Sequence, residues 1–127
     1  MENNTIVKEV CPTSTQELII RGYMLLDIRE PKEVEKLTFN VPKIIHIPLS
    51  ELEERYMEVP KNEKIIVVCQ TGERSLRAVD FLQKLGYTNL LNMKKGLDKW
   101  VQKGFPTIGD TSGIQEHVCC RGSHSHC

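Results

Sequence analysis

The chain has 127 residues, and its 17 lysines and arginines are balanced by 17 acidic residues. This length fits one domain with a short extra segment, large enough to fold without disulfides or metals. The even charge argues against nucleic acid or a membrane as a partner. No segment reaches the roughly 18 apolar residues of a transmembrane helix, and residues 1–5 lack the basic start of a signal peptide. We therefore expect a cytoplasmic protein.

Apolar segments alternate with turn residues in the first half of the chain. Strands are predicted at residues 6–10, 24–28 and 44–47, and helices at residues 13–20, 31–37 and 49–56. Gly22 is placed to end the first helix, and Pro31 suits the first turn of the second. His46 lies between apolar neighbours in the third strand, where we expect it to be hydrogen-bonded to the fold rather than catalytic.

The second half continues the alternation of strands and helices. Residues 65–68 are all β-branched, the composition of a strand buried on both faces of a parallel sheet. Helical spacing of apolar residues runs from Ser75 to about residue 85. A strand at residues 87–92, a loop at 93–96 and a last helix with Trp100 in its packing face follow. This order predicts an α/β fold with a parallel sheet.

Cys69 ends the buried strand and begins a polar loop. The carboxyl edge of a parallel sheet is where ligands bind. The N–H groups of residues 70–75 can turn inward as a cradle for an anion, and Gly72 permits the tight curve that this requires. A thiol beside such a cradle, with Arg74 and Arg77 nearby, ionises readily and is a nucleophile. We expect its sulfur to be reachable from solvent; the alternative is a buried structural cysteine.

Other polar residues fall at the same edge of the predicted sheet. Asp27 and Arg29 face the same way because side chains alternate along a strand. We expect them to pair, or to tie neighbouring loops together, in support of the site rather than to react. Lys94 and Lys95 lie in the loop at residues 93–96, where they either attract anions or are simply solvated.

Four segments together resemble one known family. They are residues 25–31 (LLDIREP), 41–49 (VPKIIHIPL), 69–75 (CQTGERS) and 95–106 (KGLDKWVQKGFP). Residues 69–75 are similar to the active-site loop of the rhodanese (thiosulfate sulfurtransferase) domain, and the other three match its remaining signatures in order and spacing. The resemblance covers residues 6–107. It implies a rhodanese-like α/β fold, a central five-stranded, mostly parallel sheet with helices on both faces.

The resemblance also implies an enzyme, a rhodanese-type sulfurtransferase that needs no cofactor. Cys69 would take a sulfane sulfur from a donor, hold it as a persulfide and pass it to a thiol or to cyanide. The donor would be thiosulfate, a polysulfide or a persulfidated protein, and the enzyme a monomer or a homodimer. The residues that would form the substrate-binding loop are Gln70, Thr71, Gly72, Glu73, Arg74 and Ser75.

Several positions depart from the pattern of the family. Gln70 is neutral where many thiosulfate users carry a basic residue, and Glu73 brings a negative charge into the loop. Both changes disfavour a dianionic donor, so a polysulfide or a persulfide on another protein is at least as good a candidate. Residues 39–44 lack two glycines that the family usually has, which predicts a different turn there.

Two other functions stay open at this point. One is a non-catalytic rhodanese-like regulatory or binding module, although inactive members of the family typically lack the cysteine. The other is a cysteine-dependent phosphatase or arsenate reductase. Those enzymes have a Cys-x5-Arg loop sized for a tetrahedral oxyanion, whereas Cys69 and Arg74 form the shorter Cys-x4-Arg, which fits one sulfur atom better.

The composition changes after residue 107. We predict a rhodanese-like domain over residues 1–107 and a flexible Cys/His-rich tail over residues 108–127. Thiolates and imidazoles at this density are ligands for zinc or copper(I), but their spacing matches no recognised finger, so we assign no metal site. A thiol relay from Cys69 and an incidental disordered end are the alternatives. The candidate ligands are Cys119, Cys120, His124, His126 and Cys127.

Replacing Glu73 with Lys tests the predicted donor preference. The loop would exchange a negative for a positive charge, so the KM for thiosulfate should fall by roughly fivefold, about 1 kcal/mol. The KM for polysulfide, whose charge is spread along a sulfur chain, should fall less. Steady-state kinetics with both donors measure the two effects. Equal changes in the two KM values would show that Glu73 does not discriminate between donors by their charge.

Overall fold

The structure, a computed structural model, describes residues 7–111. The strands are β1 (Glu9–Val10), β2 (Met24–Asp27), β3 (Leu37–Phe39), β4 (Ile44–His46), β5 (Ile65–Val68), β6 (Leu90–Met93) and β7 (Thr107–Gly109). The helices are α1 (Pro12–Ile20), α2 (Pro31–Lys36), α3 (Leu52–Arg55), α4 (Glu73–Lys84) and α5 (Gly96–Gln102), with 3₁₀ turns on either side of α3. Within this range, every helix is too short or too polar to cross a bilayer.

Five strands form a parallel sheet in the order β1-β6-β5-β2-β4. The predicted α/β architecture, with helices on both faces of a five-stranded sheet, is confirmed. All four residues of β5 are completely buried at the centre. Because crossover helices cover both faces of a parallel sheet, a central strand needs apolar side chains on both sides. The run of four β-branched residues meets this need and places Cys69 at the sheet's carboxyl edge.

Two hydrophobic cores lie on opposite faces of the sheet. On one face, Cys69 belongs to a cluster that includes Ala78 and Leu82 of α4. On the other face, Trp100 of α5 makes edge-to-face contacts with two phenylalanine rings, and its Nε1 donates a hydrogen bond to the carbonyl of Pro106 at 2.8 Å. The prediction that Trp100 is a core residue is confirmed.

A small second sheet was not predicted. The helix expected to reach residue 37 ends at Lys36, and Leu37 begins β3. β3 pairs antiparallel with β7, which places Leu37 opposite Gly109. The predicted start of the tail at residue 108 therefore falls inside β7, and paired structure extends to Gly109. The sequence did not predict this sheet because both strands are short and lie far apart along the chain.

Candidate active site

The loop after β5 curls back over the sulfur of Cys69. Gly72, with φ of 98°, makes the turn before α4 begins at Glu73. The backbone N–H of Gly72 donates to Cys69 Sγ at 3.1 Å, and that of Ser75 donates to the same atom at 3.3 Å. The Ser75 hydroxyl oxygen is also 3.3 Å from Sγ. Donors directed at a sulfur atom stabilise negative charge on it, so both N–H groups are placed to hydrogen-bond the sulfur when it is charged.

No part of Cys69 is exposed to solvent. The expectation that its sulfur is reachable is therefore wrong for this conformation. The reason lies in the loop itself, because the residues that donate to the sulfur, Gly72 and Ser75, are buried above it while Thr71 and Glu73 face outward. A donor molecule reaches the sulfur only when the loop or the side chains over it move.

A chain of polar side chains anchors the first residue of the loop. Arg29, which is 1% exposed, forms an ion pair with Asp27 at 2.9 Å. Its Nη1 donates to Gln70 Oε1 at 3.3 Å, and Gln70 Nε2 donates to Asp98 Oδ1 at 2.6 Å. The expected pairing of Asp27 and Arg29 is confirmed. Because the amide of Gln70 is engaged on both sides, Gln70 orients the loop and is not free to meet a donor.

The start of α5 packs directly against the active-site loop. The N–H of Leu97 donates to the carbonyl of Cys69 at 2.9 Å, and the N–H of Asp98 donates to the carbonyl of Gln70 at 3.1 Å. Gly96 lies so close that any Cβ there would collide with these two carbonyl groups. A glycine is therefore needed at this position for the helix to pack this closely against the loop, a role that the sequence did not reveal.

Polar side chains from β4 and β6 hold backbone carbonyls of the neighbouring loops. His46 Nε2 lies 2.7 Å from the carbonyl oxygen of Arg29, so its predicted structural role is confirmed. Asn92 is completely buried, and its Nδ2 donates to the carbonyl of Gly72 at 3.3 Å and to Glu9 at 2.9 Å. Sequence reasoning missed Asn92, although a polar residue within an apolar strand was the available signal.

The cationic side chains at this edge differ in what they contact. Arg74 donates two hydrogen bonds to the carboxylate of Glu33, of 2.9 and 2.8 Å. These bonds raise the pKa of Arg74 and lower the pKa of Glu33. Arg77, Lys94 and Lys95 are exposed. Arg74, one of the two arginines expected to place positive charge near the thiol, is thus paired with a carboxylate from α2.

No metal site is found within residues 7–111, where no three His, Cys, Asp or Glu side chains are grouped to hold an ion. The tail residues named as candidate ligands fall outside this range. Metal binding and sulfur relay by the tail therefore stay predictions. The residues concerned are Cys119, Cys120, His124, His126 and Cys127.

Comparison with known families decides the relationship. The Rhodanese-like domain family matches residues 12–103. The chain belongs to the rhodanese-like family. This rhodanese-like chain is 31% identical over 85 residues to a protein named sulfurtransferase from Allochromatium vinosum, covering 67% of the chain and 78% of that protein. It is 37% identical over 79 residues to the putative sulfur carrier protein YrkF of Bacillus subtilis. That match covers 62% of the chain but only 42% of YrkF, so the chain spans less than half of its length.

Solved structures agree with this assignment. A rhodanese-related protein from Thermoplasma volcanium superimposes with a TM-score of 0.72 at 32% identity, covering 81% of the chain and 99% of that protein. The polysulfide-sulfur transferase homodimer of Wolinella succinogenes gives the same TM-score of 0.72 at 22% identity, covering 87% and 85%. At that identity, the second match supports the fold alone. The rhodanese-like fold expected from the sequence is confirmed.

Two glycine substitutions test how tightly the start of α5 holds the loop. Gly96 and Gly104 both have positive φ, of 57° and 76°, but only Gly96 has neighbours in the space of a Cβ. Gly104→Ala should cost about 1–2 kcal/mol for left-handed backbone alone. Gly96→Ala should cost clearly more, because the loop carbonyls must also shift. Urea unfolding of both variants measures the difference, and equal losses would mean that the contact is not tight.

Proposed function

We propose that this protein is a sulfurtransferase that carries a sulfane sulfur on Cys69 as a persulfide. The observation that carries the proposal is the pair of N–H groups, from Gly72 and Ser75, that converge on Cys69 Sγ at 3.1 and 3.3 Å. Membership in the rhodanese-like family and relatives named sulfurtransferase and putative sulfur carrier support it.

The proposed reaction has two displacement steps. The Cys69 thiolate attacks the outer sulfur of the donor, a new S–S bond forms, and the donor's own S–S bond breaks with its electron pair leaving on sulfite or on a thiolate. An acceptor thiolate or cyanide then attacks the outer sulfur of the persulfide, and Cys69 leaves as the thiolate. Each step exchanges one bond to sulfur for another, so no external oxidant is needed. The inward amides stabilise the negative charge that Cys69 carries before and after transfer.

The same geometry weighs against phosphatase chemistry. A phosphatase loop of this kind needs its arginine beside the bound oxyanion, but Arg74 is held by Glu33. The inward donors also lie within hydrogen-bonding distance of the sulfur itself. Such a loop suits a persulfide, in which one sulfur atom is added to Cys69, better than a tetrahedral phosphate group.

Donor, acceptor and assembly are part of the proposal. We place the protein in the cytoplasm, where thiols stay reduced, as a monomer or homodimer that passes sulfur to a thiol acceptor. A polysulfide or a persulfidated protein is the favoured donor, since the exposed Glu73 adds negative charge to the loop. Because Cys69 is completely buried, the loop or the side chains over the sulfur must move for each transfer.

Replacing Cys69 with Ser tests the nucleophile directly. A hydroxyl fills the same space but does not accept a sulfane sulfur, so thiocyanate formation from cyanide should fall by at least roughly 10³-fold with every donor. Circular dichroism of Cys69→Ser should match that of the wild type, so that the loss of activity reports on the thiol and not on folding. Retained activity in Cys69→Ser would refute the assignment.

Mass spectrometry of the intact protein distinguishes this enzyme from a non-catalytic module. After exposure to thiosulfate, polysulfide or an organic persulfide, Cys69 should gain about 32 Da, the mass of one sulfur atom held by a nucleophilic thiolate. Peptide mapping locates the adduct. If no donor adds mass to Cys69, the protein is a binding module rather than a transferase.

A further inference from the structure

Glu33 is held in position by its own helix as well as by Arg74. It lies in the first turn of α2, where one of its carboxylate oxygens accepts a hydrogen bond from the backbone N–H of Glu30 at 3.1 Å, part of a capping box. The two oxygens then accept from the two terminal nitrogens of Arg74. A bidentate pair of this kind is both directional and stronger than a single contact. Glu33 therefore holds the guanidinium in one place.

The charge that Glu33 neutralises belongs to the active-site loop. Arg74 directly precedes Ser75, whose N–H donates to the sulfur. About a third of each side chain in the Arg74–Glu33 pair is exposed, so the pair lies where incoming solute can meet it.

We propose that Glu33 determines which sulfur donor the loop accepts, by holding Arg74 away from the donor's anionic group. This inference rests on the sulfurtransferase function proposed above. With Arg74 neutralised, the loop disfavours the thiosulfate dianion and favours donors with less negative charge, such as an organic or protein persulfide. Glu33 is a positioning residue that acts through Arg74. Gln70, by contrast, is engaged by Arg29 and Asp98.

The leaving groups explain why the held arginine discriminates between donors. When Cys69 takes the outer sulfur of thiosulfate, the S–S bond breaks and sulfite leaves as a dianion with the electron pair. An organic persulfide releases a thiolate with one negative charge. A free guanidinium beside the loop would stabilise the oxygen atoms of sulfite through paired hydrogen bonds. The carboxylate of Glu33 removes that stabilisation and adds repulsion of its own.

The pairing should persist through neutral pH. The hydrogen bond from Arg74 lowers the pKa of Glu33 from its ordinary value. A carboxylate with a lowered pKa contributes stability above its unfolded pKa and loses that contribution as the pH falls through the folded pKa. The donor preference is therefore expected to stay constant at neutral pH and to weaken only in acid.

Glu33→Gln tests the proposal, with Glu35→Gln as a matched control on an exposed position of the same helix. The substrates are the thiosulfate dianion and an organic persulfide that carries no charge other than that of its persulfide group. In Glu33→Gln, kcat/KM for thiosulfate should rise about tenfold, or 1.4 kcal/mol, mainly through a lower KM. The value for the organic persulfide should change by less than about twofold, and Glu35→Gln should match the wild type for both donors. Equal changes for both donors, or none, would overturn the proposal.

A second substitution shows whether the gain acts through Arg74. In Glu33→Gln with Arg74→Gln, the increase with thiosulfate should disappear, because no guanidinium is left to bind the donor. If the increase persists, Glu33 acts by another route and the proposal fails. Should Glu33→Gln not fold, Glu33→Asp keeps the charge but shortens the reach, and it should give a smaller rise with thiosulfate. No rise in that variant would equally overturn the proposal.

The outcomes separate this inference from the function on which it rests. If wild-type Cys69 gains no sulfur from any donor by mass spectrometry, the sulfurtransferase proposal itself fails. If Cys69 gains sulfur but Glu33→Gln leaves the ratio of the kcat/KM values for the two donors unchanged, the sulfurtransferase proposal stands. Only the proposed role of Glu33 is then wrong.

Discussion

The contact between the buried sulfur of Cys69 and the loop amides above it is the interaction on which this site depends. Gly72 and Ser75 can donate to that sulfur only because the loop turns sharply between β5 and α4. Contacts from neighbouring elements stabilise that turn. The start of α5 binds its carbonyls from one side, and the ion pair of Asp27 and Arg29 holds Gln70 from the other. The parallel sheet brings these groups to one edge.

Neutral and charged groups have different positions around this loop. The sulfur accepts hydrogen bonds from neutral backbone N–H groups, whereas the guanidinium of Arg74 is bound by a carboxylate from α2. Backbone dipoles stabilise a thiolate without attracting every anion in solution, because they act only at hydrogen-bonding distance. A full positive charge acts over a longer range. Under the proposed function, pairing Arg74 with Glu33 would separate the stabilisation of the sulfur from the attraction of anionic donors.

The parts of the site that local sequence dictates were predictable, and the parts that depend on distant packing were not. The β-branched run of β5, the cysteine at its end and the Asp27–Arg29 pair follow from periodicity and strand alternation. The pairing of Glu33 with Arg74 joins residues 41 positions apart, and that of Gln70 with Asp98 joins residues 28 apart. α4 begins at Glu73, two residues before the predicted start at Ser75. The apolar pattern missed these residues because the first turn of the helix is polar. Burial of the sulfur likewise arises from the loop closing over it.

The complete burial of Cys69 affects how long a loaded sulfur would survive. Persulfides and thiolates are attacked by oxidants according to their exposure, and the later oxidation products of cysteine are not reversed. A covered sulfur atom is shielded from such loss while it waits for its acceptor. The same shielding means that opening of the loop, rather than bond exchange, can limit turnover. For the proposed sulfurtransferase, burial of Cys69 would therefore favour retention of the bound sulfur over fast turnover.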